Sequence, residues 1–268
     1  MNARFLDKPR FSLRKSARVI GLVLVFSLLT VPVRSATVEI TYLANEGVMI
    51  DCGGQRILID ALLRDSIDTY VRHPPDVQEK IETGKPPFDH IVLALATHFH
   101  LDHWDPRAIA RFLANNPHAV FASTPQATAM LPWPFRQQVR SLWPAGKNHA
   151  RLAVGGANVQ AFPLEHGKTQ NLGYRISFCG KALFHLGDAE PSEESFRTLL
   201  KMGSADVAMV PFWWLPDPKG SAFVREKWKP QHVVALHFGT TDLDWAKKVQ
   251  RAWPKAWVCT KQGESRNF

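Results

Sequence analysis

Short runs of aliphatic and β-branched residues follow one another along the chain from residue 38 onward. Residues 38–43, 47–51 and 55–60 are rich in Val, Ile and Leu and are separated by Gly or polar residues, which predicts three short strands. Residues 51–54 (Asp-Cys-Gly-Gly) have the composition of a hairpin turn. Residues 90–96 form an almost continuous apolar run, which is typical of a strand buried on both faces.

The rest of the chain alternates between extended and helical patterns. The polar, Pro-containing segment 61–88 predicts a long loop with one helix at 75–83, and Asp105 followed by Pro106 predicts a helix that runs to about Asn115. Further strands are predicted at 119–122, 158–163, 174–178, 181–185, 205–210, 232–236 and 256–259, and helices near 126–142, 192–201 and 241–251. This order fits an α/β fold in which two sheets pack between outer helices. No linker divides residues 37–268, so we expect one domain.

The first 35 residues have the pattern of a targeting segment. Six basic residues between positions 4 and 18 precede an apolar run at 19–31, and small residues follow at Ser35 and Ala36. This is the order of a secretory signal peptide, with cleavage expected before Ala36. The apolar run has 13 residues, fewer than the roughly 20 that a membrane span needs. We predict a periplasmic or secreted protein with residues 1–35 as its signal peptide and only membrane contact; an uncleaved N-terminal anchor is the alternative.

The excess of positive charge comes largely from this segment. The chain carries 33 Lys and Arg against 24 Asp and Glu, a formal charge of +9. Residues 1–35 hold seven of the basic residues and one acidic residue, which leaves 26 basic and 23 acidic residues and a charge of +3 for the remainder. A basic charge indicates nucleic-acid binding only when the folded domain carries it. The sequence therefore argues against nucleic acid as a partner.

The three cysteines, Cys52, Cys179 and Cys259, lie far apart and form no C-x-x-C pair. This spacing does not indicate a disulfide scaffold. One bridge is compatible with an oxidising compartment. We nevertheless expect all three to be small buried thiols within strands.

The densest group of chemistry-bearing residues directly follows the predicted strand at 90–96. Residues 97–103 read Thr-His-Phe-His-Leu-Asp-His, so three histidines and one aspartate fall within six positions. In extended backbone His98 and His100 project to the same side, and Asp102 and His103 then fall in the turn before the next helix. Imidazole and carboxylate groups at the end of a strand, where α/β folds place their sites, predict a metal centre.

This H-x-H-x-D-H pattern after an apolar strand resembles the signature of the metallo-β-lactamase superfamily. Four further matches stand in the family's order: Asp60 at the end of an apolar strand, His166 in Leu-Glu-His-Gly, Asp188 in Leu-Gly-Asp and His237 in Leu-His-Phe-Gly. The resemblance covers about residues 37–260 and implies an αββα sandwich, with two mixed β-sheets between outer helices. Its compact members, such as the ascorbate-6-phosphate lactonase-like proteins, are the most similar.

The resemblance also implies a role for each matching residue. Seven side chains would bind two metal ions: His98, His100 and His166 the first, Asp102, His103 and His237 the second, and Asp188 both. We expect Asp102 and Asp188 to be catalytic as well. Asp60 would not touch the metals but would orient one of their ligands or a loop.

The donor set indicates the kind of metal and the reaction. Neutral imidazole and carboxylate without thiolate suit zinc, and also manganese, iron or nickel; we expect two zinc ions. Two neighbouring cations need a bridging anion, which Asp188 and a hydroxide would supply. Water bound to zinc has a pKa of about 7 instead of about 15.7, so the hydroxide would be a nucleophile at neutral pH. The metals would also stabilise negative charge that develops on a carbonyl or phosphoryl oxygen.

Aromatic residues between the fourth and fifth motifs are candidates for substrate contact. Phe212, Trp213 and Trp214 follow a predicted strand, and they either close a core or wall the pocket. No run of Arg or Lys adjoins the metal motifs, so we predict an apolar or ring-bearing substrate against Trp213 or Trp214. The loop 62–88 is a candidate lid, because long loops in compact domains are usually functional or mobile.

The six remaining histidines are expected to be structural. His185 lies three residues before Asp188, and we expect it to pack within its strand; a role in positioning Asp188 is the alternative. The others are expected at the surface or at caps: His73, His90, His118, His149 and His232.

Together these features predict a hydrolase that acts on a small-molecule lactone, ester or phosphodiester. β-Lactamases of this fold usually lack the bridging aspartate, so Asp188 argues against antibiotic hydrolysis. Hydroxyacylglutathione hydrolases carry a long helical extension after the fifth motif, whereas 31 residues follow His237 here. The alternatives are an iron-dependent oxidoreductase, whose members usually have Glu where His100 stands, and a metal-binding protein without catalysis. The sequence leaves the substrate and the oligomeric state open.

Overall fold

The computed structural model describes residues 37–64, 68–146 and 148–268. The predicted signal peptide, residues 1–35, lies outside the described residues together with its cleavage point. The described residues belong to a single unit. Within them, no helix combines the length and the apolar character needed to cross a membrane.

The first sheet is built mainly from the N-terminal half of the domain. Its described strands are β1 (Glu39–Ala44), β2 (Gly47–Cys52), β3 (Gln55–Ile59), β4 (Ile91–Leu95), β5 (Val120–Ser123), β6 (Val139–Ser141) and β14 (Ser265–Asn267). They lie in the order β14-β1-β2-β3-β4-β5-β6. The first three strands pair antiparallel as hairpins, and β3 to β6 run parallel. The sheet is therefore mixed.

The second sheet repeats this plan. Its described strands are β7 (Ala150–Val154), β8 (Ala157–Leu164), β9 (Asn171–Phe178), β10 (Lys181–His185), β11 (Val207–Pro211), β12 (His232–Leu236) and β13 (Trp257–Val258), in the order β13-β12-β11-β10-β9-β8-β7. Strands β7 to β10 are antiparallel neighbours, and β10 to β13 are parallel. Each half of the domain thus begins with hairpins and ends with parallel strands.

Three apolar clusters hold the layers together. The helices are α1 (Pro75–Thr83), α2 (Pro106–Asn115), α3 (Pro125–Thr128), α4 (Glu193–Met202), α5 (Pro218–Ala222) and α6 (Leu243–Ala252). Ile109 and Phe112 of α2 pack on the outer face of the first sheet, and Leu199 of α4 and Val249 of α6 pack on the second. The third cluster lies between the sheets. This confirms the predicted αββα sandwich of two mixed sheets between outer helices.

The edges of the sheets differ from the prediction. The region 126–142, predicted to be helical, contains the four-residue helix α3, a 3₁₀ turn at Trp133–Phe135 and the edge strand β6. Strands β7 and β14 were not predicted either. Strands β6 and β14 have only three residues each, too few to show a periodicity, and they are defined by their hydrogen-bonded neighbours. For β7, which has five residues, the sequence pattern was overlooked.

Cys52 and Cys179 form a disulfide, so the expectation of three buried thiols is wrong for these two residues. Cys52 ends β2 in the first sheet, and Cys179 follows β9 in the second, with their Cα atoms 6.5 Å apart. The bond joins positions 127 residues apart in sequence, which sequence spacing does not reveal. Cys259 is buried and free, as expected.

Candidate metal centre

The predicted site residues come together where strands of both sheets end. Asp60 follows β3 and His98 lies just beyond β4, while Asp188 and His237 follow β10 and β12 in the second sheet. Parallel strands of one sheet end at the same edge, and the sandwich brings the two edges together. Residues far apart in sequence therefore meet in one cleft.

The segment that carries four of the candidate ligands is a tight turn between β4 and α2. The backbone N–H groups of His103 and Trp104 donate to the carbonyl oxygen of His100 at 3.0 and 3.1 Å. Asp105 then caps α2 by accepting hydrogen bonds from the backbone of its first turn. The buried Trp104 ring donates to the carbonyl of Phe99. These contacts fix the turn at both ends.

His98, His100, His166 and Asp188 form the first cluster. The Nε2 atoms of His98 and His166 lie 3.8 and 3.7 Å from Asp188 Oδ2. His166 Nε2 lies 3.4 Å from His100 Nδ1. His98 and Asp188 are buried, whereas His100 and His166 are half-buried, so this cluster is the more accessible to solvent.

Asp102, His103, Asp188 and His237 form the second cluster, and all four are buried. The Nε2 atoms of His103 and His237 each lie 3.1 Å from Asp188 Oδ1. The same two nitrogens each lie 3.3 Å from Asp102 Oδ2. Two imidazoles and two carboxylates therefore converge on one point.

Asp188 belongs to both clusters through different oxygen atoms, Oδ2 in the first and Oδ1 in the second. His98 Nε2, His103 Nε2 and Asp188 Oδ1 are buried and have no hydrogen-bond partner among the described residues. Buried polar atoms in folded proteins are nearly always paired. Converging, unpaired nitrogen and oxygen donors fit two adjacent divalent cations, and this donor set suits zinc, manganese or iron.

Without cations, the charged groups of the second cluster shift one another's pKa values. Burial alone would lower the pKa of His237, but Asp188 and Asp102 raise it to about 10. Burial likewise opposes the charged form of His103, yet the carboxylates of Asp188, Asp60 and Asp102 raise its pKa well above the usual value. Burial would raise the pKa of Asp188, but His103 and His237 hold it well below the usual value. Cations bound here must therefore displace these protons.

Asp60 lies where the sequence places it, behind the ligands. It is fully buried, and its Oδ2 accepts from His103 Nδ1 at 2.9 Å and from Thr97 Oγ1 at 2.7 Å. Its Oδ1 accepts from the Thr97 backbone N–H at 2.7 Å. The backbone of Asp60 has a positive φ of 48°, a conformation of the kind found at functional sites. Asp60 thus orients the His103 ring so that Nε2 faces the cluster.

Sequence reasoning missed the turn between β1 and β2, which reaches the second cluster. Asn45 Nδ2 donates to Asp102 Oδ2 at 3.1 Å and to the Asp102 carbonyl at 3.2 Å. The next residue, Glu46, is buried, and its two carboxyl oxygens have no hydrogen-bond partner among the described residues, although Oε2 lies 4.0 Å from His185 Nδ1. Burial and the charge of Asp188 raise the pKa of Glu46 well above the usual value. The sequence signal that could have indicated this turn was weak: two polar residues, Asn45 and Glu46, stand between two apolar strands.

Two aromatic side chains lie against His237 at the rim of the cleft. The Tyr70 ring is 4.7 Å from the His237 ring and the Trp213 ring is 5.0 Å from it, both edge to face. Both aromatic residues are half-buried. Burial and the charges of Asp102 and Asp188 raise the pKa of Tyr70, so its hydroxyl stays protonated. Tyr70 lies within the loop 62–88 that the sequence indicated as a candidate lid, but sequence reasoning did not single out Tyr70.

Trp214 does not line the cleft, and the expectation that it contacts substrate is wrong. It is completely buried and packs against Phe196 and Phe223 in the outer core of the second sheet. Its indole N–H donates to the Ala189 carbonyl at 2.7 Å, and that of Trp213 donates to the same oxygen at 3.1 Å. The 3₁₀ turn at Phe212–Trp214 sends neighbouring side chains in different directions, so one tryptophan faces the cleft and the next faces the core.

His185 packs within its strand, and it also contacts the site turns. Its Nε2 donates to the Glu46 carbonyl at 3.0 Å, and its Nδ1 accepts from the Gly187 backbone N–H at 3.3 Å. Burial lowers its pKa, so the ring is neutral. His73 was expected at the surface or at a cap, but it is buried with Nε2 2.9 Å from the Ala61 carbonyl. Burial lowers the pKa of His73 to about 4.

Comparison with known proteins agrees with this geometry. Residues 55–250 match the family of β-lactamase superfamily domains. No curated protein sequence matches the chain. Several solved structures share its fold, among them a metallo-hydrolase from the archaeon Ignicoccus hospitalis, at 20% identity and a TM-score of 0.57 over 87% of this chain and 98% of that chain.

A metallo-β-lactamase fold protein from Bacillus subtilis is similar at 13% identity and a TM-score of 0.59, over 87% of this chain and 100% of that chain. A diiron β-hydroxylase from Streptomyces venezuelae is similar at 15% identity and a TM-score of 0.54, over 87% of this chain and 54% of that chain. These likenesses show a shared fold. Because the family match extends over most of the chain and includes the segments that form both clusters, this protein belongs to the metallo-β-lactamase superfamily.

Proposed function

We propose that this protein is a hydrolase that uses two divalent metal ions, which we expect to be zinc. The observation that carries the proposal is the position of Asp188, which presents one carboxylate oxygen to each cluster. His98, His100 and His166 would complete the first site, and Asp102, His103 and His237 the second. When bound there, the two ions would supply an activated water and an electrophile for the substrate oxygen.

The residues of the chain contribute orientation and shielding. Asp60 and Asn45 hold His103 and Asp102 by hydrogen bonds, so the donor atoms of the second site are preorganised. Tyr70 and Trp213 enclose His237 and keep water from that side of the cleft. The protonated Tyr70 hydroxyl is a hydrogen-bond donor beside the site, suited to an oxygen that gains negative charge during hydrolysis.

We propose a small molecule with an apolar or ring-shaped part as the substrate. Trp213 and Tyr70 offer aromatic surface next to the second cluster, and Leu101, within the metal-binding turn, is 51% exposed at the first. Apolar walls around a few polar groups are typical of small-molecule sites. The bond to be broken would be that of a lactone, an ester or a phosphodiester, and a lactonase of the ascorbate-6-phosphate type is one member of this range.

We also propose that the protein works outside the cytoplasm. The pattern of residues 1–35 predicts export. The Cys52–Cys179 disulfide supports an oxidising compartment, because such bonds are rare in the reducing cytosol. N-terminal sequencing of the protein from the periplasm or the medium should begin near Ala36; full-length protein in the cytosol would contradict export.

The decisive experiment combines metal analysis with a substrate panel. The protein from residue 36 onward, loaded with zinc, manganese or iron, is assayed on lactones, thioesters, aryl esters and bis(p-nitrophenyl) phosphate. A hydrolase holds about two ions per chain and turns over one of these classes, and Asp188→Ala abolishes that turnover. Two ions without hydrolysis but with oxygen consumption by the iron form would indicate an oxidoreductase. Binding without any turnover would indicate a metal-binding protein.

A further inference from the structure

Asn45 is bonded to two candidate ligands of the second cluster. Its side-chain Nδ2 donates to Asp102 Oδ2 at 3.1 Å and to the Asp102 carbonyl at 3.2 Å. Its own backbone carbonyl accepts from the His237 backbone N–H at 3.1 Å. Asp102 belongs to the turn after β4 in the first sheet, and His237 follows β12 in the second. The β1–β2 turn thus links ligands from both halves of the sandwich.

We propose that Asn45 is the residue that positions the second metal site, by fixing the Asp102 carboxylate and the His237 backbone before the metal binds. This inference rests on the proposed function, because it takes the second cluster to be a metal site. Asn45 is completely buried, so water does not compete for its hydrogen bonds. A ligand held by buried hydrogen bonds loses less freedom when a cation binds, which raises the affinity of its site.

The backbone conformation and the hydrogen-bond acceptors at position 45 both favour asparagine. The backbone φ of Asn45 is 50°, in the left-handed region that asparagine tolerates better than most residues. Asn45 Nδ2 donates to both oxygen acceptors of Asp102 and also lies 3.5 Å from His237 Nε2, so the position needs a group with two N–H donors and no negative charge. Aspartate would have the same shape but would place a second carboxylate against Asp102.

The hydrogen bonds of Asn45 reach residues of the second cluster, Asp102 and His237, so its effect should be specific to that cluster. In the first cluster, His98 is buried with its Nδ1 3.0 Å from Thr97 Oγ1, whereas His100 and His166 are half-buried. His100 Nε2 lies 3.3 Å from the hydroxyl of the half-buried Thr169. By contrast, Asp102, His103 and His237 are all buried, with partners in Asn45 and Asp60. Loss of the Asn45 carboxamide should therefore weaken the second site and leave the first unchanged.

Two variants of the full domain test this. Asn45→Gly keeps the left-handed turn without strain and removes only the carboxamide. Asn45→Asp keeps the shape and removes the donor. Asn116→Ala is the control, because its carboxamide donates to the Phe112 carbonyl at the far end of α2. Zinc stoichiometry is measured by mass spectrometry, and the two affinities by competition with a chelator. The absorption of the cobalt form reports ligand geometry at each site without any substrate.

We expect both Asn45 variants to bind the second ion about 10- to 100-fold more weakly than wild type, with the first ion and Asn116→Ala unchanged. Wild-type affinities in both Asn45 variants would overturn the inference and leave the proposed function intact. Equal weakening of both ions would also overturn it, because general loosening of the fold would then be responsible. Failure of wild type to bind any divalent cation would instead overturn the proposed function. If Asn45→Asp does not fold, Asn45→Ser, which is polar but too short to reach Asp102, takes its place.

Discussion

Asp188 divides its two carboxylate oxygens between the clusters, so its replacement should affect both ions at once. We expect Asp188→Ala to retain about one ion per chain and to lose nearly all turnover, because two adjacent cations could no longer share the carboxylate that holds both. Asp60→Ala should cost less, about 10- to 100-fold in affinity or activity, because Asp60 acts through His103. Metal analysis and single-substrate kinetics check both. A wild-type protein that is fully active with one ion would contradict the binuclear proposal.

Trp213 and Trp214 are neighbours with different environments, and they form a matched pair of variants. Trp213→Ala should lower kcat/KM on an apolar substrate by about 10- to 100-fold, because burial of one aromatic face contributes on the order of 1–3 kcal/mol. Its metal content should not change. Trp214→Ala should instead destabilise the domain by about 3–5 kcal/mol, because its fully buried ring leaves a cavity.

Thermal unfolding and steady-state kinetics of both variants separate these effects. The two indoles donate to the same Ala189 carbonyl, directly after Asp188, so loss of that hydrogen bond is common to both variants. Trp213→Phe, which removes the donor and keeps an aromatic face, is the control for it. If Trp213→Ala keeps full activity on the best substrate found, Trp213 has no role in substrate binding.

At the scale of elements, the disulfide joins the end of β2 to the turn after β9 and so connects the two sheets directly. The closed loop is long, with a sequence separation of 127, and it restricts the unfolded chain. Replacing both Cys52 and Cys179 by Ala should therefore lower the free energy of unfolding by about 2–4 kcal/mol. Cys259→Ala, which removes a buried free thiol, is the control. Denaturant unfolding measures both, and equal stabilities of the double variant and wild type would contradict a structural role for the bond.

The parts of the site that lie within one short segment could be predicted from the sequence. His98, His100, Asp102 and His103 stand next to one another after a strongly apolar strand, and the later matches each sit at a strand end. The central strands could be predicted equally well, since strands such as β4 are continuous apolar runs. Local pattern therefore located the central strands and the first four candidate ligands, and the resemblance to the metallo-β-lactamase superfamily added His166, Asp188 and His237.

The parts that depend on contacts between distant elements could not be predicted. Asn45 has the appearance of an ordinary turn residue, and its role arises only because β12 ends beside the β1–β2 turn. Cys52 and Cys179 pair because the two sheets face each other there. The opposite surroundings of Trp213 and Trp214 depend on a single 3₁₀ turn whose direction no periodicity reveals.

At the scale of the whole molecule, cations that bind at the site must displace protons from its side chains. In the metal-free protein, the nearby carboxylates raise the pKa of His103 and His237, which favours the protonated form of both rings. Both histidines lie where strands of the two sheets end. Metal binding exchanges this arrangement for one with cations. Folding stability, metal affinity and pH are therefore coupled through the same few side chains.

This coupling predicts that the metal-free protein becomes less stable as the pH rises. The pKa of His237 is raised from 6.5 to about 10 in the folded protein, so its contribution to stability is fully present below pH 6.5 and is lost as the pH rises toward about 10. The pKa values of His103 and Glu46 are also raised in the folded protein, so both groups add to the loss of stability as the pH rises. The melting temperature of the metal-free protein should therefore fall between pH 6.5 and 9.5. Cations do not titrate, so the melting temperature of the zinc form should fall less, and the difference in melting temperature between the two forms should grow with pH.

Differential scanning calorimetry of both forms across this range measures that difference. His237→Ala is the control, in which the difference should depend less on pH. If the difference in melting temperature between the two forms stays constant with pH in the wild type, His103 and His237 are not the groups from which zinc displaces protons.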